Sequence, residues 1–322
     1  MLPRRTEDYR TLFWTCVLAP ALVVLHYSRP ELGPYLCALS CYFGLACGVI
    51  AHNHMHRPTF GEKLPNTLFS SWISVFYGYP VFAWLPTHNM NHHKFVNKNG
   101  DATITWRFTN KHNAVVAGTY FFVSAYYQGA WIQSFIKKAR TQKPALFRRI
   151  VLQYSTVYGV QALMLGVAIA RHGLSVGFFV WLFAMGIPAI FALWAIMLFN
   201  YTQHVHTDPW SDWNHSRNFG SWSLNFFLFG NGFHTIHHEK PSLHWSDARA
   251  EHAKVAHKMS PELIQRSFWW FMFKQHFLAI LFPKLGTVQM GRAPFDPPEG
   301  APEPDEAAQV VLCEAGSNAV KV

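Results

Sequence analysis

The chain has 322 residues, of which 50% are hydrophobic and 14% charged, well under the ~25% charged residues of ordinary soluble domains. Its formal charge of +10 suits anionic lipid headgroups or an acidic partner protein and is too diffuse to indicate nucleic acid. Five cysteines without a CxxC pair exclude a disulfide framework and a thiolate metal site, and 16% aromatic residues fit the belts of a membrane interface.

Met1 to Arg10 is polar, and no cleavable signal peptide is expected. Apolar runs at Leu12–Tyr27 and Leu32–Ala51 are each near the ~20 residues of a spanning helix. Arg29, Pro30, Glu31 and Gly33 turn the chain between them. The second run leads directly into His52 and His56, four residues apart on one helical face, closed by Pro58. A third uncharged segment, Thr67–Leu85, is interrupted by Gly78 and Pro80 and followed by His88, His92 and His93.

Ala114–Ile136 is uncharged but carries Gln128 and Gln133, and a basic stretch follows at Lys137, Lys138, Arg140, Lys143, Arg148 and Arg149. Two stronger spans, Ile150–Ala170 and Ser175–Phe199, are joined by the hairpin Arg171-His172-Gly173-Leu174. The last one ends in Asn200 and His204, again four apart. A polar loop then leads to His234, His237 and His238, whose spacing of three and four residues on a helix aims three imidazoles at one point. Phe268–Phe282 is aromatic but contains Lys274 and His276, and reads as lying on the membrane. Residues 1–289 form one membrane domain, and 290–322, rich in Pro, Glu and Ala, form a disordered tail.

If all six apolar segments crossed the bilayer, the histidine clusters would lie on opposite faces of a core about 30 Å thick. Metal–nitrogen bonds of about 2 Å forbid a shared site across that distance. Making Thr67–Leu85 and Ala114–Ile136 interfacial or re-entrant leaves four spans with every cluster on one side. Arg4, Arg5 and the basic stretch lie on that side, while the two outer turns carry only Arg29 and Arg171, so the positive-inside rule makes it cytoplasmic. The expected fold is an all-α membrane protein with four transmembrane helices, interfacial helices and a cytoplasmic histidine-rich cap.

His52, His56, His88, His92, His93, His204, His234, His237 and His238 then put nine imidazoles on one face. That suits two metal ions of borderline softness, with Asn200 one helical turn before His204 placed to hold a metal-bound water. Carboxylates are scarce among the clusters, unlike ferritin-type sites. The succession H-x3-H, H-x3-H-H, N-x3-H and H-x2-H-H over roughly Leu32–Trp245 resembles the integral-membrane fatty acid desaturase superfamily. The superfamily's second box is commonly H-x2-H-H, so the extra residue after His88 departs from its pattern.

The resemblance implies two iron ions at the cytosolic side of a four-helix base. With dioxygen as co-substrate and electrons from a separate ferredoxin or cytochrome b5, these would dehydrogenate a fatty acyl lipid or acyl thioester delivered from the membrane. No fused His-Pro-Gly-Gly motif is present, and amino-acid side groups alone supply no oxidant able to attack an unactivated C–H bond in the middle of an alkyl tail. A hydroxylase or ketolase acting on a lipid or carotenoid is compatible with the same residues. A histidine-rich metal transporter is a third reading, disfavoured because such proteins place ligands at mid-bilayer rather than at helix exits.

His26, His112, His172, His252, His257 and His276 lack partners at ligand spacing and read as surface or interface residues. His54 and His206 point off the ligand face and are expected to be exposed, with a supporting role beside the ligands as the alternative. His215 and His244 stay open between supporting and ordinary roles. Asp101, Asp208 and Asp212 read as loop caps that are also able to accept a ligand N–H.

Overall fold

The computed structural model describes residues 2–301 and is mostly helical. Eleven helical elements position the site: α1 Asp8–Ser28, α2 Pro30–His56, α3 Lys63–Tyr77, α4 Val81–Phe95, α5 Ala114–Gln142, α6 Pro144–His172, α7 Leu174–His204, α8 Trp222–Phe227, α9 His234–Glu239, α10 Ala248–Val255 and α11 Phe268–Phe273. Strands β1, Asn218–Phe219, and β2, Ile264–Gln265, pair in parallel.

Among the described residues, α1, α2, α6 and α7 are long and apolar enough to cross a membrane. Those are the four spans expected from the sequence. α3 and α4 bend by 99° at the break containing Gly78 and Pro80, and α5 is outside the set of four. Both departures follow from composition: Pro80 interrupts the helix, and α5 carries glutamines, lysines and an arginine.

The protein forms two compact units, one of residues 2–85 and 136–196, the other of 86–135 and 197–301. In the first, Tyr27, Val75, Ala168, Val180, Ala184 and Met185 make a buried core. Tyr27 Oη donates to the Met164 carbonyl at 2.8 Å, tying α1 to α6. At the α6–α7 hairpin a Cβ on Gly177 would lie 2.5 Å from the Ala168 carbonyl, so only glycine permits that approach. Val24, Leu163, Leu174 and Ile190 are exposed on the spanning helices, as expected of side chains that face hydrocarbon.

In the second unit, Ala117, Tyr120, Tyr201 and Val205 pack α5 against the end of α7. Phe233, Ile236 and Ala248 join α9 to α10. The backbone stays fastened past Met290, whose N–H donates to His206 O, while Trp210 Nε1 donates to Ala293 O. Of the expected tail, 302–322 lies outside the described residues.

Candidate metal centre

Four of the histidines converge inside the second unit. His92, His204, His234 and His238 present ring nitrogens that all lie within 4.8 Å of one another. The Nε2–Nε2 separations are 3.1 Å for His92–His204, 2.8 Å for His204–His234 and 3.2 Å for His234–His238. Metal–nitrogen bonds of about 2.1 Å give ligand–ligand edges of about 3.0 Å in an octahedron and about 3.4 Å in a tetrahedron. The observed edges fit a coordination shell.

The protonation pattern supports the same conclusion. His92 Nδ1 lies 2.8 Å from Asp101 Oδ2, and a carboxylate only accepts, so Nδ1 carries the proton. His204 Nδ1 lies 3.1 Å from the His215 carbonyl, with the same consequence. In the neutral rings both Nε2 atoms carry acceptor lone pairs, and they face each other at 3.1 Å. A single proton relieves one such contact, whereas the four converging nitrogens together could hold a metal ion.

A second set stands beside this one in the same unit. His88, His93 and His237 form an Nε2 triangle with edges of 3.1, 3.0 and 3.4 Å. His52 and His56, on the first unit, end α2 with rings 4.9 Å apart.

The partition differs from the reading in which each box aims at one point. Residues 85–92 form a π-helical turn, in which residue i meets i+5 rather than i+4. His88 therefore meets His93, and His92 turns to the other set. On the regular helix α9, His234 and His238 share one set while His237 joins the other. Asn200 Nδ2 donates to Tyr120 Oη at 2.9 Å.

The segments that carry the clustered histidines are held by residues that carry no sequence signature. α7 ends at His204 with its last carbonyls satisfied: Arg217 Nη1 donates to Thr202 O at 2.6 Å, Arg217 N to Gln203 O, and Asn97 Nδ2 and Thr207 Oγ1 to His204 O. One residue beyond Arg217, Asn218 caps the start of α9. Its Oδ1 accepts from Thr235 N at 3.0 Å and its Nδ2 donates to Thr235 Oγ1. Residues 215–219 thus form a brace between the helix ends that carry His204 and His234. Gly232 lets the brace approach, because a Cβ there would lie 2.2 Å from Phe219 O. The only advance sign was the polar run His215-Ser216-Arg217-Asn218, which sequence reasoning passed over.

Of the three aspartates considered from sequence, Asp101 reaches one of the clustered histidines, His92. Asp208 caps its own loop through Trp210 N, and Asp212 is exposed. Burial by itself would raise the Asp101 carboxyl, but the His92 ring beside it and the Thr103 donors hold it below the usual range. His238 is driven well below its ordinary value by burial, then by the neighbouring imidazoles His93, His234, His92 and His204. The His238 shift favours the neutral imidazole that a metal requires.

His215 contributes its carbonyl to His204, and its Nε2 is 3.4 Å from Glu239 Oε1. His244 bonds Ser246 within its own turn. His54 and His206 are buried rather than exposed. His54 bridges Thr59 and Ser70, and His206 bonds the Asn110 carbonyl and Thr287. His26, His252 and largely His112 are interior as well, because packing decides their burial and ligand spacing does not report on it.

A sequence model described as fatty acid desaturase matches residues 30–273. The protein belongs to the fatty acid desaturase family. Searches of curated proteins and of solved structures gave no match. The family is one of membrane oxidoreductases known for di-iron use, and the apolar helices and histidine groups agree with that membership.

Proposed function

We propose that the protein is an O2-dependent fatty acyl desaturase that introduces a double bond into a membrane-delivered acyl chain. The observation carrying this reading is the all-imidazole set of His92, His204, His234 and His238, with opposed lone pairs and coordination-length edges, in a family of this chemistry. One iron is assigned to this set. The other is assigned to His88, His93 and His237, and His52 and His56 are proposed as metal ligands as well. Asn200 is assigned to a metal-bound water. When bound, the two irons supply oxygen activation and the removal of two hydrogens from an unactivated acyl group.

The protein's own residues hold the rings in register. Asp101 keeps His92 in the tautomer that offers Nε2, the His215 carbonyl does the same for His204, and burial of both limits water around the set. Electrons are assigned to a separate ferredoxin or cytochrome b5, and the active site to the cytoplasmic face with only the turns near Arg29 and Arg171 outside. The acyl group arrives as a lipid or thioester.

The test is expression in a host with a simple lipid profile fed deuterated saturated fatty acid under 18O2. The expected product has lost two deuterium atoms from adjacent carbons and carries no 18O. A hydroxyl or keto oxygen derived from 18O2 would show that the protein is a hydroxylase or ketolase instead.

A further inference from the structure

Helix α11 has two unlike faces. Its inner face holds Phe268 and Phe271, 2% and 1% exposed, while Trp269, Trp270, Phe273, Phe277 and Ile280 stand 45–70% exposed on the helical run through Leu281. An apolar patch of this kind on an exposed helix marks an interaction surface. Arg266, Lys274 and Lys284 flank it, and among the described residues none of the three has an ion-pair partner. A short helix with outward tryptophans and phenylalanines, bordered by unpaired cations, has the composition of an element lying in a lipid headgroup layer.

The inner face is clamped onto the metal-bearing half. The Phe268 ring stacks on Phe199 of α7 at 4.1 Å and meets Phe219 of the brace edge-on at 5.2 Å. Phe271 meets Phe219 at 5.5 Å and lies 4.8 Å beneath the Arg217 guanidinium. β2, just before α11, pairs with β1 of the same brace. Phe199 is five residues before His204, and the brace holds the ends that carry His204 and His234. A force on α11 is therefore transmitted to both ligand-bearing elements.

We infer that the outer face of α11 is a seat on an anionic phospholipid leaflet, and that it fixes the depth of the His92, His204, His234 and His238 set relative to the bilayer. The same polypeptide supplies four helices fit to span that bilayer, so the surface is within reach by covalent connection. The cations match anionic headgroups, which a protein partner of the same exposed apolar character would not require. The inference holds whichever reaction the metals perform.

The experiment uses the full-length protein with its native cysteines replaced, in nanodiscs of phosphatidylcholine with phosphatidylglycerol. Nitroxide labels are placed singly through Trp269→Cys, Phe273→Cys, Phe277→Cys and Ile280→Cys, with Glu262→Cys as the aqueous reference. Oxygen collisions should exceed those of the water-soluble nickel chelate at the four face positions and fall below them at Glu262. The triple variant Arg266→Gln/Lys274→Gln/Lys284→Gln should shift the labels outward in these discs and not in pure phosphatidylcholine. In the unlabelled protein, brominated lipid should quench a tryptophan component that disappears in Trp269→Phe/Trp270→Phe. Nickel-dominated collisions at the four positions would overturn the proposal, and so would dipolar broadening between protomers, which would mark the face as a contact between copies. Depths indifferent to lipid charge would overturn the assignment to anionic headgroups.

Discussion

His92 Nε2 and His204 Nε2 lie 3.1 Å apart while each ring has already committed its Nδ1 proton, one to a carboxylate and one to a carbonyl. Two lone pairs in that relationship repel unless a cation is shared. Elemental analysis of iron-replete protein should therefore find two metals per protomer, and His204→Ala should reduce the content to one. Asp101→Asn keeps the shape but removes the charge that fixes the His92 tautomer, and should weaken metal affinity about 10–100-fold. A content near one metal in the active wild-type protein would refute the two-set assignment.

The brace makes a prediction that spacing alone did not. Gly232→Ala drives a methyl against the Phe219 carbonyl and Asn225 Oδ1, at about 1–3 kcal/mol for an overpacked contact that backbone cannot relieve. Asn218→Ala removes the cap of α9 and should cost about 0.5–2 kcal/mol. Both variants should lose metal from the His234 side at a denaturant concentration that leaves the wild type loaded. Unchanged metal retention in Asn218→Ala would remove the brace from the account of the site.

Much of this was legible in the sequence. Four spans follow from apolar runs that are long enough, and nine ligand candidates follow from spacing at helix exits. What escaped has a physical cause in each case. The partition of His88, His92 and His93 depends on a π-helical hydrogen-bond register, which residue types alone do not encode. Arg217 and Asn218 act from a stretch with no periodicity, through contacts made 14 and 17 residues away in sequence, at Gln203 and Thr235. The exposure expected for His54 and His206 failed because a hydroxyl partner makes a buried imidazole tolerable.

His112 supplies a pH test. Burial, with Arg217, His276 and His206 as electropositive neighbours, pushes its imidazole down from 6.5 to about 2. The unfolded state binds this proton near 6.5 and the folded state resists it. The associated stability is fully present above that value and is lost progressively as the pH falls toward about 2. One such group contributes a slope of at most about 1.4 kcal/mol per pH unit. Thermal unfolding in detergent should therefore show a shallower acid decline in His112→Gln than in the wild type. Parallel declines would mean that His112 is protonated without resistance in the folded state.

The orientation of Asn200 gives the last prediction. Tyr120 Oη donates its only proton to the Thr103 carbonyl, so toward Asn200 it can only accept. The Asn200 amide group must then point its Nδ2 at Tyr120, as the 2.9 Å contact requires, and its Oδ1 is left to act as an acceptor. Thr103 in turn donates its hydroxyl to Asp101 Oδ1 at 2.7 Å, so the relay from Asn200 through Tyr120 and Thr103 ends at Asp101, the carboxylate that orients His92. Tyr120→Phe deletes the acceptor that fixes the amide and leaves every imidazole in place. It should keep both metals yet lower turnover by about tenfold or more, the range found for residues that orient a metal's surroundings. Asn200→Asp preserves an acceptor oxygen and should retain more activity than Asn200→Leu, with the metal content of all three variants near that of the wild type. Equal turnover in Asn200→Asp and Asn200→Leu would mean that the amide oxygen has no part in holding water at the site.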